Sequence, residues 1–268
     1  MKIVVIGGTG LIGSKTVQKL KERGHETVAA APNTGVNTLT GEGLDGALAG
    51  AEVVIDVSNS PSFEERAATD FFQTSGCNIK EAEVKAGVRH HVALSVVGTD
   101  RLQDSGYFRA KLAQESLIKS SPVPYSLIHA TQFFEFIRTI ADISTVNGAV
   151  RLPAVQFQPI AAEDVAAAVA DVALGEPLNR TIEIGGPETF TLDDGVRRVL
   201  AFDRDPRTVV ADQSAPYYGV QVSERTLVPD AGAWLGSITL AWWLEHVPAP
   251  PKKIEASAPT PAAPVPAH

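Results

Sequence analysis

Apolar and polar positions follow two alternating periods along the first half of the chain. Ile3 to Ile6 is an unbroken β-branched run, the pattern of a strand buried on both faces. After a glycine-rich turn, Leu11/Ile12, Val17 and Leu20 recur at helical spacing over Leu11–Arg23. Gly24 stops that helix, and Glu26 to Ala31 reads as a second buried strand ended by the turn residues Pro32-Asn33-Thr34-Gly35. The alternation then predicts a short strand over Val36–Leu39, a short helix over Leu44–Leu48, a strand over Glu52–Val57 and a long helix from about Phe63 to Ala86. A strand over His91–Val97, a helix over Tyr107–Lys119 and a strand over Tyr125–Ala130 follow. Parallel neighbours need a crossover at every connection, so this order predicts an α/β fold, a doubly wound parallel sheet with helices on both faces.

Beyond residue 130 the pattern loosens. Helices are expected over Phe133–Ile143, Ala162–Leu174 and Leu192–Ala201, with strands near Phe157–Ile160 and Thr181–Ile184; these form a small C-terminal substrate-side subdomain. The folded domain is placed at residues 1–247. From Pro248 to His268, 13 of the residues are Pro or Ala, a composition that buries too little surface to offset ordering, and a disordered Pro/Ala-rich tail is expected there.

Composition narrows the functional classes. The chain has 268 residues with 31 acidic and 23 basic side chains, a formal net charge of −8, and no run of Lys or Arg. Direct nucleic-acid binding and docking on acidic lipid both need a basic footprint that is missing here. The single cysteine, Cys77, has no thiol partner for a disulfide or a zinc site, which fits a reducing compartment, and no metal is expected. The N-terminal apolar run reads as a strand rather than a signal, and the uncharged stretch Ala231–Leu244 is too short for a bilayer. A cytoplasmic protein without a membrane partner is the expectation.

Gly7, Gly10 and Gly13 form G-x-x-G-x-x-G directly after a strand and at the start of a helix. Glycine lets a pyrophosphate approach the backbone, and the helix N-terminus offers N–H groups and partial positive charge. The candidate dinucleotide contacts are Gly7, Thr9, Gly10, Leu11, Ile12 and Gly13. With Gly8 and Thr9 this stretch resembles the GGTGxIG signature of extended and atypical short-chain dehydrogenases/reductases, in particular the NmrA-like branch. The strand with Ser95, the segment YFRAKLAQE from Tyr107, TQFFEF from Thr131 and QPIAAEDVA from Gln158 extend the resemblance over about residues 1–245. It implies a Rossmann sheet and an NAD(P)-dependent oxidoreductase.

Where the second strand ends, neither the carboxylate that would select NAD nor the arginine that would select NADP is present: after Glu26 the next acid is Glu42, and after Arg23 the next arginine or lysine is Arg66. Without a carboxylate nothing repels a 2′-phosphate, and Asn33 and Thr34 offer hydrogen bonds. NADP(H) is favoured, with NAD(H) possible.

Tyr107 and Lys111 are four apart on one helix face, and Ser95 precedes them at the carboxyl end of a strand. The resemblance makes Tyr107 the general acid for carbonyl reduction. Lys111 would lower the phenol's pKa and hold the nicotinamide ribose, and Ser95 would bond the substrate oxygen. The same spacing also arises where a tyrosine packs and a lysine snorkels. Asn78 lies on the preceding helix in a register that looks wrong for a catalytic asparagine. The expected function is NAD(P)H-dependent reduction of a small or medium carbonyl or quinone. The alternatives are a non-catalytic NAD(P)-sensing regulator of the NmrA-like type and an epimerase or dehydratase using the same residues.

Overall fold

The computed structural model describes residues 1–247; the tail expected at Pro248–His268 lies outside them. In chain order the elements are β1 (Lys2–Ile6), α1 (Leu11–Glu22), β2 (Glu26–Ala30), α2 (Leu44–Leu48), β3 (Val53–Asp56), α3 (Glu65–Ala86), β4 (His90–Val96), α4 (Gly106–Lys119) and β5 (Tyr125–Ala130). There follow α5 (Ile137–Ile143), β6 (Thr145–Val146), β7 (Ala149–Leu152), β8 (Gln156–Phe157), α6 (Ala162–Leu174), β9 (Thr181–Gly185), β10 (Phe190–Thr191), α7 (Leu192–Phe202), β11 (Thr208–Ala211), β12 (Trp234–Leu235) and α8 (Leu240–His246).

Seven strands form one parallel sheet in the order β2-β1-β3-β4-β5-β9-β12, a doubly wound Rossmann-type arrangement. Alternate residues of each strand face opposite sides. Ile3, Val5, Ile55, Val92 and Ile128 pack under α1 and α6, whereas Val4, Ile6 and Val54 pack against α2 and α3. The chain leaves β1 toward β2 on one side and returns to β3 on the other. The crevice where strand order reverses therefore lies between the carboxyl ends of β1 and β3. No helix among the described residues is long and apolar enough to cross a membrane.

Residues 36–39 form no strand, contrary to the hydrophobic pattern. Gly35, Gly41 and Gly43 all have positive φ, and a Cβ at Gly43 would lie 2.1 Å from the Gly35 carbonyl oxygen. The segment folds back on itself, with the Asn37 N–H donating to Glu42 O and the Gly41 N–H to Asn37 O, so β2 stays at the sheet edge. The helix expected from Phe133 is split into a 3-10 turn at Phe134–Phe136 and α5.

A second core lies beyond β5. Phe134, Ile137, Val150, Phe157, Leu192, Val196, Leu240 and Trp243 close it between α5, α7, α8 and the short strands. Glu135 ties it to the first core: its carboxylate accepts from the Ala162 N–H at the start of α6 and from Trp243 Nε1.

His90 and His91 are both buried, although adjacent residues of a strand point to opposite faces, because both faces of β4 are covered. His90 Nε2 shares a 2.8 Å hydrogen bond with the Ser126 hydroxyl, and His91 Nδ1 one of 2.5 Å with Glu83. Burial, followed by the neighbouring His91, pushes His90 down to about 4. Burial also opposes charge on His91, but Glu83 outweighs it and raises the pKa.

Candidate active site

The glycine loop is shaped by backbone contacts. Gly7 has φ +76° and donates its N–H to Ala30 O at the end of β2; a Cβ there would come within 3.0 Å of Ser58 N and Cα. A Cβ on Gly13 would sit 2.1 Å from Gly7 O, so this glycine is what lets α1 pack on the loop. Gly10 is different. It is exposed, and a Cβ there would meet Gly7 O at 3.3 Å and nothing else within 4 Å. Gly10 is also the N-cap of α1 in extended backbone, with no side-chain cap and no acid in the first turn. An exposed helix end with no side-chain cap and no negative charge in its first turn fits a pyrophosphate. Leu11 is exposed, whereas the Ile12 side chain is in the core, which leaves Ile12 only its N–H for such a ligand.

At the end of β2 the Thr34 hydroxyl is used within its own turn, its one proton shared between Ala29 O and Ala31 O while it accepts from the Ala31 N–H. Asn33 is exposed, and its Oδ1 accepts from the Thr9 hydroxyl at 3.1 Å, joining this turn to the glycine loop.

The segment after β3 connects the loop to Tyr107. Asp56, buried at the strand's end, accepts from the Ser58 N–H and hydroxyl on Oδ1 and from Gln114 Nε2 on Oδ2. This pins Ser58 against Gly7. The next residue, Asn59, accepts a 2.8 Å hydrogen bond from the Tyr107 hydroxyl on its Oδ1. Burial pushes Tyr107 up to about 12. The expected lowering toward neutrality is therefore not seen, since desolvation disfavours phenolate. The phenol stays protonated at neutral pH, the form a proton donor requires.

Lys111 is fully buried behind the tyrosine. Its Nζ donates to Leu94 O at 3.1 Å and to Gln114 Oε1 at 2.6 Å, and lies 4.7 Å from the centroid of the Phe72 ring. Tyr107 meets the same ring edge-on at 6.2 Å. Burial brings Lys111 down to about 8 against the attraction of Asp56 and Glu115.

Ser95 is held elsewhere. Its hydroxyl donates to Glu115 Oε1 at 2.6 Å, and His129 Nε2 shares the same oxygen at 2.8 Å. Burial alone would raise the Glu115 pKa, but His129, Ser95 and Lys119 together bring it down to about 2. Asn78 does not reach the tyrosine; its amide donates to Thr38 O and Leu39 O. Glu163 pairs with Lys15 and Lys19, and Asp164 accepts from the Ser237 and Ile238 N–H groups, both structural contacts. Sequence reasoning missed Asp56, Asn59 and Gln114. For the first two a signal was present, because they stand at the carboxyl end of β3, the edge where open α/β sheets bind ligands.

Fold and loop together are those of a Rossmann-type domain. The NAD dependent epimerase/dehydratase family model matches residues 3–77, from β1 to the middle of α3. No curated protein is similar enough to count as a match. Among solved structures, the UDP-glucose 4-epimerase of Thermotoga maritima with UDP-glucose aligns with a TM-score of 0.70 at 14% identity, covering 91% of this chain and 96% of that one. A short-chain dehydrogenase/reductase superfamily protein from Agrobacterium tumefaciens with bound NAD aligns with a TM-score of 0.68 at 17% identity, covering 91% and 95%. A dTDP-4-dehydrorhamnose reductase from Clostridium acetobutylicum gives 0.64 at 17%, covering 79% and 84%. At these identities the likeness establishes a shared fold.

Proposed function

We propose that the chain is an NAD(P)H-dependent reductase of a small or medium carbonyl or quinone, of the NmrA-like kind, with Tyr107 as general acid. One observation carries the reading: Ser58 lies against Gly7 of the dinucleotide loop while its neighbour Asn59 accepts the Tyr107 hydroxyl. Two consecutive residues thus set the phenol beside the loop.

The loop with Gly7, Gly10 and Gly13 would hold the pyrophosphate of a reduced nicotinamide dinucleotide, whose chemistry there would be to supply hydride for carbonyl reduction. Tyr107 exchanges its bond to Asn59 for one to the carbonyl oxygen and passes its proton to it. Lys111, packed on the same Phe72 ring, keeps positive charge in the wall behind the tyrosine and stabilises the phenolate left after transfer. Ser95 bonds a substrate oxygen only by releasing Glu115, so its part is tested by Ser95→Ala. Asn33, in place of a carboxylate, accepts NADP(H) without repelling the 2′-phosphate.

The test is consumption of NADPH or NADH with a panel of aldehydes, ketones and quinones and, in a separate assay supplied with oxidised dinucleotide and read by product analysis, conversion of UDP-glucose, the ligand in the Thermotoga structure. Oxidation of NADPH by a carbonyl or quinone supports the proposal; turnover of UDP-glucose alone would replace it with sugar-nucleotide chemistry. A second reading, a dinucleotide sensor without turnover, draws on Lys111, whose ammonium has two internal acceptors. Tight NADPH binding with no reduction across the panel would establish it.

A further inference from the structure

Three rings from separate parts of the chain meet at the candidate active site. Phe63 precedes α3, Tyr107 lies on α4 and Tyr218 comes from the long connection between β11 and β12. Phe63 lies 5.0 Å from Tyr107 and 6.2 Å from Tyr218, between centroids, with interplanar angles of 50° and 34°. The rings touch, yet Phe63 and Tyr218 remain 61% and 40% exposed.

Tyr218 is held there at a conformational cost. Tyr217 and Val220 exchange both hydrogen bonds, at 2.8 and 3.1 Å, which closes a two-residue hairpin turn with φ +47° at Tyr218 and +83° at Gly219. Positive φ at both central residues is the pattern of a type I′ turn, for which Asn-Gly is a strongly preferred pair. A bulky aromatic at positive φ is an outlier, and such outliers gather where a side chain has a task. Tyr217 anchors the hairpin in the second core, and the Tyr218 ring rests edge-on against it at 4.9 Å between centroids, which sets the direction in which Tyr218 projects. Charges near Phe63 are already engaged: Glu64 accepts from the Arg66 and Ala67 N–H groups, and Glu65 pairs with Arg109. What remains exposed next to the Tyr107 ring is the uncharged surface of Phe63 and Tyr218.

We infer that Phe63 and Tyr218 form an aromatic clamp that takes the planar face of an aromatic carbonyl or quinone and presents its oxygen to Tyr107. This deepens the reductase reading and rests on it for the role of Tyr107. The two residues are specificity determinants, selecting a flat π-system over an aliphatic carbonyl of similar size.

The experiment measures binding of 2-naphthol, a planar probe that cannot be reduced, to the full chain by NMR titration with and without saturating NADPH, using cyclohexanol as the aliphatic control. The expected result is saturable naphthol binding in the presence of NADPH, with cyclohexanol binding at least tenfold weaker. Tyr218→Asn should weaken naphthol binding about tenfold and leave Tm unchanged or higher, because it supplies the preferred turn pair. Phe63→Ala should also weaken it, and Tyr218→Phe, which keeps the ring, should bind as the parent does. Absence of naphthol binding, parental affinity in Tyr218→Asn, or competition between naphthol and NADPH would overturn the clamp. The two readings fail separately. Clamp-dependent naphthol binding with no carbonyl reduced removes the reductase alone, whereas reduction of aliphatic and aromatic carbonyls alike, indifferent to Tyr218→Asn, removes the clamp alone.

Discussion

At the scale of single residues, the glycines of the loop divide into two kinds. Gly13 has backbone 2.1 Å from where its Cβ would be, whereas the exposed Gly10 has only the Gly7 carbonyl oxygen near, at 3.3 Å. Gly13→Ala should therefore cost stability, by about 1–3 kcal/mol in thermal unfolding. Gly10→Val should stay folded yet lose NADPH binding by calorimetry. Tyr107→Phe keeps the ring on Phe72 and removes only the proton donor, so kcat on any accepted carbonyl should fall at least about 100-fold while dinucleotide affinity and Tm hold. Asn33→Asp should weaken NADPH about tenfold and leave NADH less affected, because a carboxylate repels a 2′-phosphate. The loop glycines were legible in the sequence because their spacing is local. Asn59 was not, since only folding brings it to a tyrosine on another element.

At the scale of elements, the α3–α4 layer carries a buried charge whose cost can be measured. Lys111 is held down to about 8 by burial, below its value in an unfolded chain. The unfolded state thus binds this proton more tightly. The destabilisation is complete below pH 8 and is relieved as pH rises from about 8 to 10.5. Lys111→Met should raise stability at pH 7 by about 1–3 kcal/mol, with the gap to the parent narrowing across that window, and should abolish reduction. Glu115 has the opposite sign: its pKa is lowered to about 2, so its contribution is present above about 4.5 and fades as pH falls toward 2. Denaturant titrations of Lys111→Met and Glu115→Gln against the parent across pH test the two assignments.

For the whole molecule, the crevice between β1 and β3 joins the loop, Asn59 and the phenol into one unit, so ligand binding should be visible as global stability. NADPH at 100 times its Kd adds about 2.7 kcal/mol, which for a domain of this size raises Tm by roughly 5–10 °C. Gly10→Val should remove that rise. Parent protein whose Tm is unchanged by saturating NADPH and NADH would count against a dinucleotide site.

The amino-acid sequence by itself determined the strand–glycine loop–helix unit, the parallel doubly wound sheet and the pairing of Tyr107 with Lys111 on one helix face. All three depend on residues a few positions apart, where hydrophobic period and steric freedom decide. Only the tertiary structure decided that Val36–Leu39 turns away from the sheet, that both His90 and His91 are buried, and that Ser95 is engaged by Glu115. It alone decided that Tyr107 is raised rather than lowered in pKa, with Asn59 as its acceptor and Phe63 and Tyr218 beside it. The reason is physical: desolvation and hydrogen-bond partners are properties of surroundings assembled from distant segments, and no local pattern encodes which distant group fills the last contact.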